Sequence, residues 1–245
     1  MAMFMNGKSM TKVHVLAVGE FGTAVADRLR REHHDVEISS YRNGSLEMSA
    51  GWPEAELRIL ASWRETPMLA EILDARSADW GSPWFPVVAE HPRLRIGPLV
   101  VPGAGACYRC FRKRRAQHER DAAHIATLHE HYDAFPESGP GGFLPHHVDM
   151  ATGIALDLLR RLEAGESERL AGTVRHWHLL EQHLSGGRVV GVHACDRCRP
   201  PQADPATSTW ADLARDLTPL LIPFDEHPNA AQDGPQAAPS TSARQ

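Results

Sequence analysis

No stretch of the sequence approaches the roughly 18 consecutive apolar residues that a membrane-spanning helix needs. The opening MAMFMNGKSMTK also lacks the continuous apolar core of a secretory signal. Both absences point to a cytoplasmic chain with no membrane partner. Cationic excess is missing too: 26 Lys and Arg stand against 31 Asp and Glu, so bulk electrostatics favour no nucleic-acid partner. Cysteine is scarce, with four in 245 residues. In a reducing compartment such thiols are ligands or redox groups before they are structural disulfides.

What is present reads as an alternating α/β pattern. VHVLAV (13–18) is a short buried strand, GEFG a turn, and TAVADRLRREHH a helix with one apolar face. DVEISS and ELRILAS add strands, and Thr66 with Pro67 supplies a side-chain cap and a pre-set dihedral for the helix PMLAEILDAR. PWFPVVAE and LRIGPLVV read as two further strands. A polar helical stretch, 111–132, is separated by GPGG (139–142) from HVDMATGIALDLLRRLEAG, whose apolar residues recur at helical spacing up to a stop at Gly165. VRHWHLLEQHL and RVVGVHA, joined by SGG, read as an antiparallel pair. The order of elements implies an α/β layer with a Rossmann-like, largely parallel start and helices on both faces. A short helix WADLARDL, capped by Thr209, and a Pro/Ala/Gln/Ser tail follow; the tail cannot bury enough apolar area to order itself. The resulting division is an α/β domain over 12–200, a helical extension over 201–224 and a disordered tail over 225–245.

All four thiols fall in two Cys-x-x-Cys pairs, Cys107 with Cys110 in GACYRC and Cys195 with Cys198 in HACDRC. Two such turns can close a tetrahedral structural zinc site; the competing readings are a redox dithiol and unrelated reduced thiols. A metal here would clip together two distant parts of one domain. AVGEFG falls short of the G-x-G-x-x-G phosphate turn. With Gly22 as its last glycine and Gly19 its middle one, Ala17 stands at the first position, and Glu20 would repel phosphate. No acid ends the second strand to hold a ribose, so this degenerate turn reads as a packing device in which Gly22 lets helix and strand approach closely. FRKRR (111–115) is read as a solvated helix face, with an acidic partner or phosphate as the alternative. His118, His124, His129 and His131 lack the i, i+4 pairing of a helical metal site, and PHH (145–147) has no nucleophile beside it.

Set in order, IGPLVVPGAGACYRCFRKR (96–114), DMATGIALDLLRRL (149–162) and HACDRC (193–198) resemble a ThiF-like, ubiquitin-activating-type fold. More closely, they resemble the ocin-ThiF-like cyclodehydratase partners of thiazole/oxazole-modified peptide biosynthesis. The resemblance implies Cys107, Cys110, Cys195 and Cys198 as ligands of a structural zinc. It also implies a non-catalytic protein that binds the leader of a ribosomal precursor peptide and presents it to a YcaO-type enzyme, with a homodimer among the assemblies it admits. Two features depart from the pattern. Trp63 stands where an activating enzyme brings an aspartate, and the first strand begins near residue 13, without the winged-helix leader-recognition module such proteins commonly carry in front. A separate leader-recognition protein is one expectation that follows. The rival readings are an ATP-dependent enzyme that adenylates a carboxylate and a nicotinamide-dependent oxidoreductase.

Overall fold

The computed structural model describes residues 11–40, 46, 48–135, 138–199, 213–215 and 217. Strand β1 (Val13–Val18) runs into helix α1 (Gly19–Glu32), and β2 (Val36–Ser40) returns parallel beside β1. Strand β3 (Leu57–Ser62) lies on the other side of β1, helix α2 (Pro67–Trp80) follows, and β4 (Trp84–Glu90) pairs parallel with β3. From there the sheet turns antiparallel through β5 (Arg93–Ile96), β6 (Thr173–His178) and β7 (His183–Arg188), giving the order β2-β1-β3-β4-β5-β6-β7. Helices α3 (Tyr108–His118), α4 (Ala122–Ala134), α5 (Pro145–Glu163) and the short α6 (Ser167–Leu170) fill the span between β5 and β6. The mixed α/β sheet with helices on both faces agrees with the pattern read from the sequence.

Strands β1 and β3 are buried at every position, and β4 at all but its last, because both faces of the parallel half are covered. Val13, Val15 and Ala17 alternate toward a core shared with Val25 and Leu29 of α1 and with Ile154, Leu158 and Leu159 of α5. Leu16 and Val18 point the other way, against Leu69 and Leu73 of α2 and Tyr108 and Phe111 of α3. Gly22 is where α1 comes closest to the sheet. A Cβ there would stand 2.3 Å from the Ala61 carbonyl oxygen, so the close helix–strand packing expected of it is present.

Several local expectations are corrected. The β6–β7 turn is not SGG but the segment after His178, where Gln182 takes a left-handed φ of 51° and donates its amide to the His178 carbonyl at 2.8 Å. Gly186 and Gly187 instead pair with Arg175 and Val174 inside β7. An exposed edge strand carries no core side chains, so glycines there cost little packing. The strand begun at LRI stops at Ile96, and beyond it Val100 makes only an isolated bridge to Trp84. The polar stretch 111–132 is two helices, broken at Glu119–Asp121. Thr66 makes no side-chain cap; its buried hydroxyl has no partner, and Pro67 at the first helical position starts α2. Leu213–Arg215 and Leu217 are helical, while the Thr209 cap and the tail from 225 lie outside the described residues.

Two predictions follow from this packing. Gly22→Ala forces Cβ onto a backbone oxygen that cannot rotate away, and chemical denaturation should show a loss of at least about 2 kcal/mol. His14 is fully buried, its Nε2 is 2.9 Å from Ser39 Oγ, and burial, reinforced by Arg58, pushes it down to about 4. A histidine lowered in the folded state stabilises above its unfolded pKa near 6.5, and that contribution is lost as pH falls toward 4. Between pH 6.5 and 5 the loss should be about 2 kcal/mol for the native chain, and His14→Gln should remove that part of the pH dependence.

Candidate metal centre

The first cysteine pair is set by the start of α3. Cys107 is its N-cap residue and Cys110 sits in its first turn. The second pair lies in the segment that leaves β7 and crosses back over the same helix end. Cys107, Cys110 and Cys195 are buried and Cys198 is partly so, with all four Sγ atoms within 4.8 Å of one another. The separations are 3.8 Å for Cys107–Cys110, 3.7 Å for Cys107–Cys195 and 3.5 Å for Cys110–Cys198. A disulfide needs about 2.05 Å, whereas a tetrahedron with Zn–S bonds of ~2.3 Å has S···S edges of about 3.8 Å. The donor set and its spacing therefore fit a soft-ligand metal ion.

Surrounding groups orient the thiols. The Val192 amide donates to Cys110 Sγ at 3.2 Å, and the Arg199 amide to the Cys195 carbonyl at 2.8 Å. Hydrogen bonds with Cys107 and Cys198 draw Cys110 down, while the same sharing, with burial, raises Cys107. Four thiolates this close require a cation to ionise together. Helix α2 braces both halves of the site. Buried Asp74 accepts the Tyr108 amide at 3.1 Å and faces Arg197 Nε at 3.7 Å, and burial chiefly pushes it up to about 6. Arg109 bridges Glu71 of α2, at 2.9 Å, and Asp196 of the second cysteine turn, at 2.5 Å.

The glycine turn has a different character. Gly19 has a φ of 70°, and a Cβ on it would stand 2.4 Å from Cδ1 of Trp63, so the indole lies directly against the bare backbone. The backbone at Gly139 approaches the far edge of the same ring. Arg64 secures that approach: its Nε donates to the Ser138 carbonyl at 2.8 Å and its guanidinium lies 4.1 Å from the Tyr132 ring centroid. Beside the turn is an open hollow of about 490 Å³ whose lining includes Glu20, Asp27 and Ser40. An indole on the glycine and two carboxylates nearby do not fit a nucleotide's phosphates.

Among the described residues, His118, His124, His129 and His131 form no group with metal-ligand spacing. His147 is buried and its Nδ1 accepts the Leu144 amide at 3.3 Å, closing the start of α5. A group the sequence reading missed, His178, Glu181 and His183, gathers at the β6–β7 hairpin. Its two imidazoles are stacked 4.2 Å apart at 7°. In-plane lone pairs on parallel rings do not converge on one ion, so this group does not form a second centre as it stands.

FRKRR is only in part a solvated face, with Lys113 exposed. Phe111 is buried, Arg112 reaches Glu71, and Arg115 Nη1 donates to Glu90 Oε1 at 2.6 Å. Arg115 belongs to a buried network that sequence reasoning did not find. Arg95, fully buried, donates to Glu65 at 2.5 Å and Glu90 at 2.7 Å, and Tyr108 Oη donates to the second oxygen of Glu65 at 2.5 Å. Burial opposes the charge on Glu90, but Arg95 and Arg115 outweigh it and hold the carboxyl well below its usual range. The only local signal was the alternation of Arg93 and Arg95 with Leu94 and Ile96, which looks the same whether water or a helix covers the polar face.

No protein-family model matches the sequence, and no curated protein matches it either. Among solved structures the α/β fold has clear counterparts. A heterocyclase in complex with substrate and cofactor matches with a TM-score of 0.58 at 14% identity, over 80% of this chain and 26% of that one. The heterocyclase TruD matches at 0.55 and 19% identity, over 78% and 28%. MccB of E. coli, solved with ATP, matches at 0.53 and 15% identity, over 78% and 66%. This chain thus spans about a quarter of each heterocyclase chain and about two thirds of MccB. At such identities the likeness is one of fold.

Three substitutions probe the cysteine site and the buried arginine network. Cys107→Ser or Cys195→Ser should lower both bound metal and the denaturation midpoint, because the binding energy of such a site is folding energy. Equal metal content and unchanged melting would contradict a metal-held fold. Arg95→Met leaves Arg115 as the one cation between two buried carboxylates, Glu65 and Glu90, and should cost about 3–5 kcal/mol by chemical denaturation.

Proposed function

We propose that Cys107, Cys110, Cys195 and Cys198 hold one structural zinc ion, and that the chain is a non-catalytic partner in the biosynthesis of an azole- or azoline-type ribosomal peptide. In this role it binds the precursor peptide, the YcaO-type enzyme that modifies it, or both. The observation that carries the reading is Trp63 seated on Gly19. A ThiF-like fold that kept nucleotide chemistry needs bare backbone amides facing phosphate at this turn, and here an indole covers the glycine while Glu20 and Asp27 flank the opening. The likeness to heterocyclases supports the peptide-modifying setting. A peptide can be gripped at a sheet edge, where main-chain hydrogen bonds give affinity and alternate side chains give specificity. The free edges among the described residues are β2 and β7.

The second reading is an adenylating enzyme that activates a carboxylate with ATP, and the likeness to MccB, solved with ATP, favours it. The two separate in a pull-down from native lysate with the full chain as bait, paired with metal analysis. The expected result is co-recovery of a short precursor peptide or a YcaO-type enzyme, with about one zinc per chain. Recovery of neither, together with ATP–pyrophosphate exchange on added carboxylates, would move the assignment to the enzyme.

A further inference from the structure

Between α3 and the antiparallel half of the sheet lies a cavity of about 700 Å³, within the size range of ligand sites. Its lining holds five arginines, Arg93, Arg95, Arg114, Arg115 and Arg188, against two carboxylates, Glu90 and Glu119. In a chain whose net charge is −5, this is a local reversal of sign. Two of the arginines are spent: Arg95 and Arg115 are locked to Glu65 and Glu90. The other three are not neutralised to the same degree. Arg114 is held by neutral acceptors, the carbonyls of Val190 and Gly191 and the side chain of Gln117. Arg188 donates to the Arg169 carbonyl, also neutral. Arg93 has only a 3.6 Å approach to Glu90, and its side chain is 41% exposed. The field of these groups reaches His176 on the cavity wall, which burial and Arg93 push down to about 4, so it adds no charge near neutrality.

We infer that this cavity is a docking site for the side-chain carboxylates of an acidic, extended peptide segment. The three guanidinium groups left less neutralised come from β5, α3 and the end of β7. Cations spread over three elements suit separated carboxylates along a chain better than one compact anion, and each arginine fork can take a carboxylate in a bidentate pair. Arg188 ends β7, an edge strand whose outer backbone groups can pair with such a segment. The inference rests on the peptide-partner reading and adds to it the charge of the peptide and where it is gripped.

The test uses the purified full chain and fluorescein-labelled hexaglutamate, with hexaglutamine as control, followed by fluorescence anisotropy at low and high salt. Hexaglutamate should bind in a salt-sensitive way and hexaglutamine should not. Arg93→Gln with Arg188→Gln should weaken binding by at least about tenfold. Arg188→Gln alone, at an exposed strand end that should tolerate it, should weaken it severalfold. Arg76→Gln, on the exposed side of α2 with Asp79, should leave it unchanged. Equal binding of the two peptides, no effect of the Arg188 change, or an equal effect at Arg76 would overturn the cavity site. A precursor peptide recovered equally well by the native chain and the double variant would also overturn it, yet leave the partner reading intact. Hexaglutamate binding without any recovered peptide would do the reverse.

Discussion

Four sulfurs brought to within 4.8 Å of one another set the constraint on which the rest of this half of the molecule depends. They join the start of α3 to a segment that is 88 residues further along, measured from Cys107 to Cys195. Closing so long a loop is entropically costly, and a cation shared by the four sulfurs would offset that cost. With both cysteine turns fixed, α3 is aimed across β4 and β5. Tyr108 and Phe111 then complete the second core, and Arg115 meets Glu90. The bracing by Asp74 and Arg109 means that α2, which packs against β4, is also tied to the cysteine cluster.

The same helix decides what the antiparallel half of the sheet can be. Had α3 lain elsewhere, Arg93, Arg95 and His176 would form an ordinary solvated face. Covered by α3, Arg95 must be paired, and Glu65 and Glu90 supply the pairing. Such a network is weak evidence for stability in itself, since well-packed apolar residues often do as well. Its effect is to consume two arginines and leave three others around an open cavity.

The sequence made some of this legible and hid the rest for physical reasons. The paired cysteines and the close packing at Gly22 follow from spacing and from backbone geometry, which are local. The β6–β7 turn was misplaced because SGG looks like turn chemistry, whereas an edge strand without core duties tolerates glycine and Gln182 accepts the left-handed turn position. FRKRR reads as a solvated face because charge runs usually are; nothing within five residues shows that Arg115 pairs with Glu90, 25 positions away. Trp63 was visible as an odd residue where an aspartate was expected. Its contact with Gly19 was not, since that contact exists only once β1 and β3 lie side by side.

Fold and site together describe an α/β scaffold in which an indole packs on the glycine turn and two cysteine pairs converge. The proposal that this turn takes no nucleotide is tested most directly by calorimetric titration of Mg-ATP into the metal-loaded full chain. The expected result is no saturable heat beyond dilution. Binding at micromolar affinity, of about −8 kcal/mol, would mean that the indole leaves Gly19 readily and that the adenylating reading is the right one.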